Sequence, residues 1–221
     1  MSGLVRSLKY ASFRAGRVIG ICLLMAIGFV FYFALLDGTR FTLENLLPRF
    51  PFMLLFIGNL MFMIYGMLDV ATYTQLTLTY GCTRKNAAFS TIYMHLVQML
   101  ALEVLMAVCC VLIPAQWMSM DGKTLCLMAL AIFFMSSGLA LVTGVMIHRF
   151  GKAAYIVIVI LASLGGGVIG GLVGFHGGTT VVMDVVMGFI NLPVILGAGI
   201  VWYVLAAVIF WFFIRKIEVR V

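Results

Sequence analysis

Six apolar runs divide the chain, at about residues 18–36, 51–73, 92–113, 125–147, 154–175 and 194–214. Each approaches or exceeds the roughly 20 residues that an α-helix needs to cross a hydrocarbon core. Backbone polar groups in lipid must pair within their own segment, so the pattern predicts an all-α membrane protein with six transmembrane helices. Ahead of the first run, residues 4–17 place Leu4, Leu8, Ala11 and Ala15 on one helical stripe and Arg6, Lys9, Arg14 and Arg17 mostly elsewhere. That is the pattern of an interfacial amphipathic helix, and a frayed basic tail would also show it over so short a segment. The first run ends at Leu36-Asp37-Gly38 without a small-residue cleavage site and reads as a retained span. Before the sixth run, residues 179–191 are apolar but short, which suits a re-entrant or interfacial segment better than a further span. Pro48, Pro51, Pro114 and Pro193 all fall at run ends, where a missing N–H costs least.

Composition strengthens this picture and removes its competitors. The chain is 65% hydrophobic and 10% charged, against about a quarter charged in soluble domains. Its net charge of +7 lies between the apolar runs and not along one face, which excludes nucleic acid as the partner and makes the bilayer the first one. Arg6, Lys9, Arg14, Arg17, Arg84, Lys85, Arg149, Lys152, Arg215, Lys216 and Arg220 fall on one side of the six spans, and Arg40, Arg49 and Lys123 on the other. The richer side is cytoplasmic by the positive-inside rule, so both termini face the cytoplasm. Residues 37–50, 114–124 and 176–193 then face out, and 1–221 reads as a single transmembrane domain. Cys22, Cys109, Cys110 and Cys126 lie inside or at the ends of apolar runs and Cys82 in a basic loop, so no disulfide framework is implied.

Few polar residues enter the spans. Glu103 lies about 16 Å from the start of its run, near the bilayer midplane, at ~1.5 Å of rise per residue. An ionised carboxylate there costs about 2.5–3.5 kcal/mol, so Glu103 needs a hydrogen bond, a proton or a wet cavity. Asn59, Ser136, Ser137 and Ser163 reach similar depth and complete a candidate midplane cluster for a substrate path or for helix association. Asp69 falls within a turn of the inner surface, where it needs less explanation. His95, His148 and His176 have no carboxylate or cysteine at ligand spacing, so they read as interfacial and no metal site is expected. Trp117, Trp202 and Trp211 fall near span ends and suit interfacial anchoring.

Residues 165–170 satisfy G-x-G-x-x-G, but no strand precedes them, and the dinucleotide reading is discarded. At a spacing of four, Gly166, Gly170, Gly174 and Gly178 form a stripe that admits close helix packing. A partly unwound, mobile half-span would use the same glycines. No nucleotide-binding or hydrolytic motif occurs, so no catalytic residue and no cofactor are assigned to this chain, and any energy source lies on another.

The polar break between the second and third spans is the chain's main surface for a soluble partner. In Tyr80-Gly81-Cys82-Thr83-Arg84-Lys85-Asn86-Ala87-Ala88-Phe89-Ser90, Gly81 offers a turn and Thr83 a helix N-cap. Arg84 and Lys85 then occupy the first helical turn, against the macrodipole, which points to a role outside the helix on an anionic lipid or a docking protein, or else to the Lys and Arg that any short cytoplasmic loop collects. The stretch resembles the Gly-x-[Ser/Thr]-Arg-Lys-x-x-x-Phe segment after the second of six spans in bacterial ABC transporter permeases of the type-2 exporter family. Gly81, Thr83, Arg84, Lys85 and Phe89 carry that likeness. The resemblance implies a short coupling helix seated in a separate ATPase subunit, two copies of which bind ATP and Mg and drive a pair of permeases, either two of this chain or this chain with a close homologue. It implies a bacterial cell membrane and export of a hydrophobic or amphipathic substrate, an antimicrobial peptide being one candidate. Two other classes stay open, an ion- or proton-coupled carrier using Glu103 and a membrane scaffold or sensor without transport.

Overall fold

The computed structural model of the chain describes residues 3–36, 38, 40–74, 78, 83–113, 121–151, 153–158, 160 and 192–215. Every described element is helical. Helix α1 is Gly3–Leu36, α2 Leu43–Leu46, α3 Arg49–Leu68, α4 Arg84–Leu112, α5 Gly122–Phe150 and α6 Leu192–Ile214. A π-helical segment, Asp69–Tyr73, follows α3 directly. Five of the described helices are long and apolar enough to cross a bilayer: Leu4–Leu36, Leu43–Thr72, Arg84–Leu112, Gly122–Phe150 and Leu192–Ile214. Of the fifth apolar run only residues 154–158 and 160 are described, all of them helical, and residues 179–191 lie outside the described residues.

Two expected boundaries are absent. The amphipathic segment 4–17 is not a separate helix, because α1 runs unbroken to Leu36. The reason is one continuous buried seam of mostly small residues, Ser7, Ala11, Ala15, Val18, Cys22, Ala26, Val30 and Ala34, spaced three or four apart. No phase break separates tail from span, so the whole length packs against α3 and α4. Likewise Arg84–Phe89 is not a short independent helix but the first turns of the 29-residue α4. Helices at this density gain more by continuing one hydrogen-bond ladder than by opening a new pair of termini.

Three groups of buried side chains hold the bundle, the smallest being Ala11, Ala15 and Met94 between α1 and α4. Leu54, Ile57, Phe62, Leu102, Met106, Leu125 and Phe133 join α3, α4 and α5, with Cys22 and Ala26 of α1 alongside. Val70, Ala87, Ala88, Leu141, Tyr203, Ala206 and Phe210 join the π segment, the start of α4, α5 and α6. Helices α1 and α4 run one way and α3, α5 and α6 the other, so the starts of α1 and α4 lie with the ends of α3, α5 and α6. We call this the basic end, since Arg6, Lys9, Arg14, Arg17, Arg84, Lys85, Arg149 and Arg215 belong to it. The far end carries the end of α4, the start of α5 and Lys123.

Glycine sets the closest helix approaches. A methyl group on Gly66 of α3 would lie 2.7 Å from the Ala140 Cβ and 2.9 Å from the His95 ring, and one on Gly144 of α5 would lie 2.5 Å from the Val70 Cβ. Gly138 is covered by the indole of Trp202, whose Nε1 donates to the Met135 carbonyl at 3.2 Å. Trp202 therefore sits in mid-helix against α5 and does not serve as a span-end anchor. Gly166, Gly170, Gly174 and Gly178 lie outside the described residues.

The Gly144→Ala variant is expected to lose about 1–3 kcal/mol by overpacking against Val70. Gly28→Ala, where nothing lies within 4 Å, serves as the control and keeps the wild-type melting temperature. Thermal unfolding of the purified protein followed by size-exclusion chromatography reads both.

Candidate functional site

The polar positions of the interior concentrate at the basic end, and Asp69 is their centre. Its side chain is 2% exposed and pairs with the guanidinium of Arg14 from α1, itself 13% exposed. A carboxylate this far from water is tolerable only when paired. The seam of α1 supplies the partner: Arg14 lies seven residues after Ser7 and four before Val18, on the same face of the helix. The π turn supplies the rest. Its extra residue leaves the Asp69 carbonyl to accept both the backbone N–H and the hydroxyl of Thr74, the latter at 3.0 Å. The Thr74 hydroxyl also approaches that of Thr91 on α4 at 3.4 Å, while Thr91 and Ser90 donate to the Ala87 carbonyl at 3.1 and 2.9 Å.

Ser7, Tyr10, Ala11, Arg14, Asp69, Ser90, Thr91 and Met94 line a cleft here of about 290 Å³, its open mouth included. That is below the usual range for drug-sized ligands, which begins near ~300 Å³ without such open space. The cleft suits water or a small polar group, not a peptide or lipid. Arg14 and Asp69 thus form a clamp between α1, the π segment and α4.

A second polar contact lies one turn along α4. His95 is fully buried, with its Nδ1 2.9 Å from the Ser137 hydroxyl and its ring edge-on to Phe62. The expectation that His95 is interfacial is corrected: its ring fills the space left by the missing side chain of Gly66. Its Nε2 and the Nε2 of the neighbouring buried Gln98 find no hydrogen-bond partner among the described residues. No group of three His, Cys, Asp or Glu side chains among the described residues could hold a metal ion.

The midplane cluster divides into separate contacts. Asn59 and Ser136 are hydrogen-bonded across α3 and α5. Ser136 also reaches the Ile132 carbonyl at 2.7 Å. A hydroxyl has one proton, so both contacts are met when Ser136 donates to Ile132 and the Asn59 amide donates to Ser136. Ser137 is turned about 100° from Ser136 and faces His95 instead. Glu103 joins neither. Leu102 faces α3, beside Gly58, so the next residue points away from that seam. The Glu103 Oε2 is buried without a hydrogen-bond partner among the described residues. Ser163 lies outside the described residues.

In the segment before α4, Gly81 lies outside the described residues, and Thr83 is the N-cap, its hydroxyl accepting from the Asn86 N–H at 3.3 Å. Arg84 Nη1 donates to the Arg215 carbonyl at 2.7 Å, just past the C-terminus of α6. A cation unfavourable at the start of its own helix is thereby favourable at the end of another. Ala87 and Ala88 face the interior, while Lys85 and Phe89 are exposed.

Asp69 was visible in the sequence as a charge at the edge of an apolar run, and the seam spacing of α1 was the available signal that Arg14 turns inward to meet it. Replacing Arg14 alone by Met leaves Asp69 buried and unpaired and is expected to cost about 3–5 kcal/mol. The double variant Arg14→Met with Asp69→Leu recovers most of that loss, and a double-mutant cycle on thermal unfolding measures the coupling. Compared with known protein families, with curated proteins and with solved structures, the chain matches none of them.

Proposed function

We propose that this chain is the permease subunit of an ABC exporter, with the basic end in the cytoplasm and the start of α4 as the docking point for an ATPase subunit. The observation that carries the reading is the division of labour in Thr83–Phe89: Lys85 and Phe89 are exposed while Arg84 is anchored to α6. A partner pressing on Lys85 and Phe89 acts on α4 and, through Arg84, on α6. Through the Thr91 and Asp69 contacts it also acts on the π segment and α1. Such linked elements are what ATP-driven closure needs to move several helices together.

In this reading the protein crosses a bacterial cell membrane six times as one domain and pairs with a second copy or close homologue. A hydrophobic or amphipathic substrate, such as an antimicrobial peptide, leaves along the contact between the copies. ATP and Mg belong to the partner subunits. Glu103 favours a second reading, a carrier coupled to protons or ions, because its buried Oε2 lacks a hydrogen-bond partner among the described residues.

Arg84 is a poor probe of docking, since changing it also uncaps α6. Lys85→Glu and Phe89→Ala are the informative variants. Each is expected to weaken ATPase binding by about 30-fold, the equivalent of a ~2 kcal/mol contact residue, without lowering the melting temperature. Quantitative co-purification of the ATPase measures this, and full retention in the combined variant counts against the exporter reading. Transport that persists without any ATPase and disappears in Glu103→Gln would establish the carrier.

A further inference from the structure

We propose that Cys110 and Cys126 form a disulfide that staples the end of α4 to the start of α5. Their Sγ atoms are 3.8 Å apart, on consecutive helices that meet at the far end. This is contact distance for two thiols, about 1.8 Å longer than a disulfide bond. The approach is built into the backbone: Gly122, the first residue of α5, lies against Cys110, where a methyl group would come within 3.1 Å of the Cys110 Cβ. Both cysteines are only partly buried, whereas Cys22 is 1% exposed. Cys109 is turned about 100° from Cys110 on the same helix, and it is the Cys110 Sγ that lies in contact with the Cys126 Sγ.

The inference rests on the orientation proposed above, which places the far end on the outer, oxidising side of the membrane. The oxidant is the disulfide of a thiol–disulfide oxidoreductase acting there. The Cys110 thiolate attacks one sulfur of that disulfide and expels the other as a thiolate, leaving a mixed disulfide. The Cys126 thiolate then attacks the Cys110 sulfur and expels the donor's second thiol. Two thiols of this chain are oxidised, the donor disulfide is reduced to two thiols, and the two protons follow to the donor. The ring so closed contains the α4–α5 connection, and it ties the far ends of both helices while leaving the basic end free to move.

The test alkylates intact cells with N-ethylmaleimide before lysis, then reduces the purified full chain and labels newly exposed thiols with a second maleimide. Labelling confined to Cys110 and Cys126 is expected, with a cross-linked 110–126 peptide in the unreduced digest. Reductant is expected to lower the melting temperature of the wild-type chain and leave that of Cys126→Ser unchanged, while Cys109→Ser keeps the cross-link. Alkylation of both Cys110 and Cys126 before reduction overturns the proposal. A Lys123→Cys chain treated with a membrane-impermeant maleimide separates the two ways of failing. Labelling from outside with both native thiols free overturns the disulfide alone, and labelling only after lysis overturns the orientation with it.

Discussion

Burial of one carboxylate organises the basic end. Asp69 is almost wholly removed from water, and an ionised carboxylate in that position needs an opposite charge within contact distance. The requirement reaches far along the chain. It holds α1 helical through Arg14, keeps that helix in register against α4, and places the wider π turn where the Asp69 carbonyl can take two donors from Thr74. Removing either charge would leave the other stranded beside Ser7, Ser90 and Thr91.

The remainder of the bundle is fixed by shape. Ala and Cys along α1, and Gly66, Gly138 and Gly144 on α3 and α5, allow backbones to approach until an indole or a valine fills the gap. Dispersion contacts accumulate at such seams without any need for a difference in polarity between helix and surroundings. Hydrogen bonds are then few and specific. Asn59 of α3 meets Ser136, His95 of α4 meets Ser137, each pair lies on its own face of α5, and the two pairs do not join among the described residues.

The contact between Arg84 and the Arg215 carbonyl bears on how movement would pass through the molecule. It joins the first turn of α4 to the last residues of α6, two elements more than a hundred positions apart in the chain. Together with the Arg14 clamp it makes the basic end a mechanically linked rim. At the far end, α4 and α5 meet through the contact between Cys110 and Cys126.

Much of the architecture was legible in the sequence because it follows from local pattern. Run length and apolar composition identified four of the helices to within a few residues or a few turns, and Thr83 announced the start of α4 by the geometry of a serine- or threonine-type cap. The seam of α1 was written in a three- and four-residue spacing, although the basic residues beside it suggested a separate interfacial helix. Partnership was decided only in three dimensions. The spacing of α1 turns Arg14 inward, but nothing local names Asp69 as its partner or tells Ser136 to meet Asn59 while Ser137 meets His95. A helix makes each residue's direction definite but leaves its neighbour to the packing of other helices, so chain pattern determined the elements and tertiary contact determined which polar groups could be buried at all.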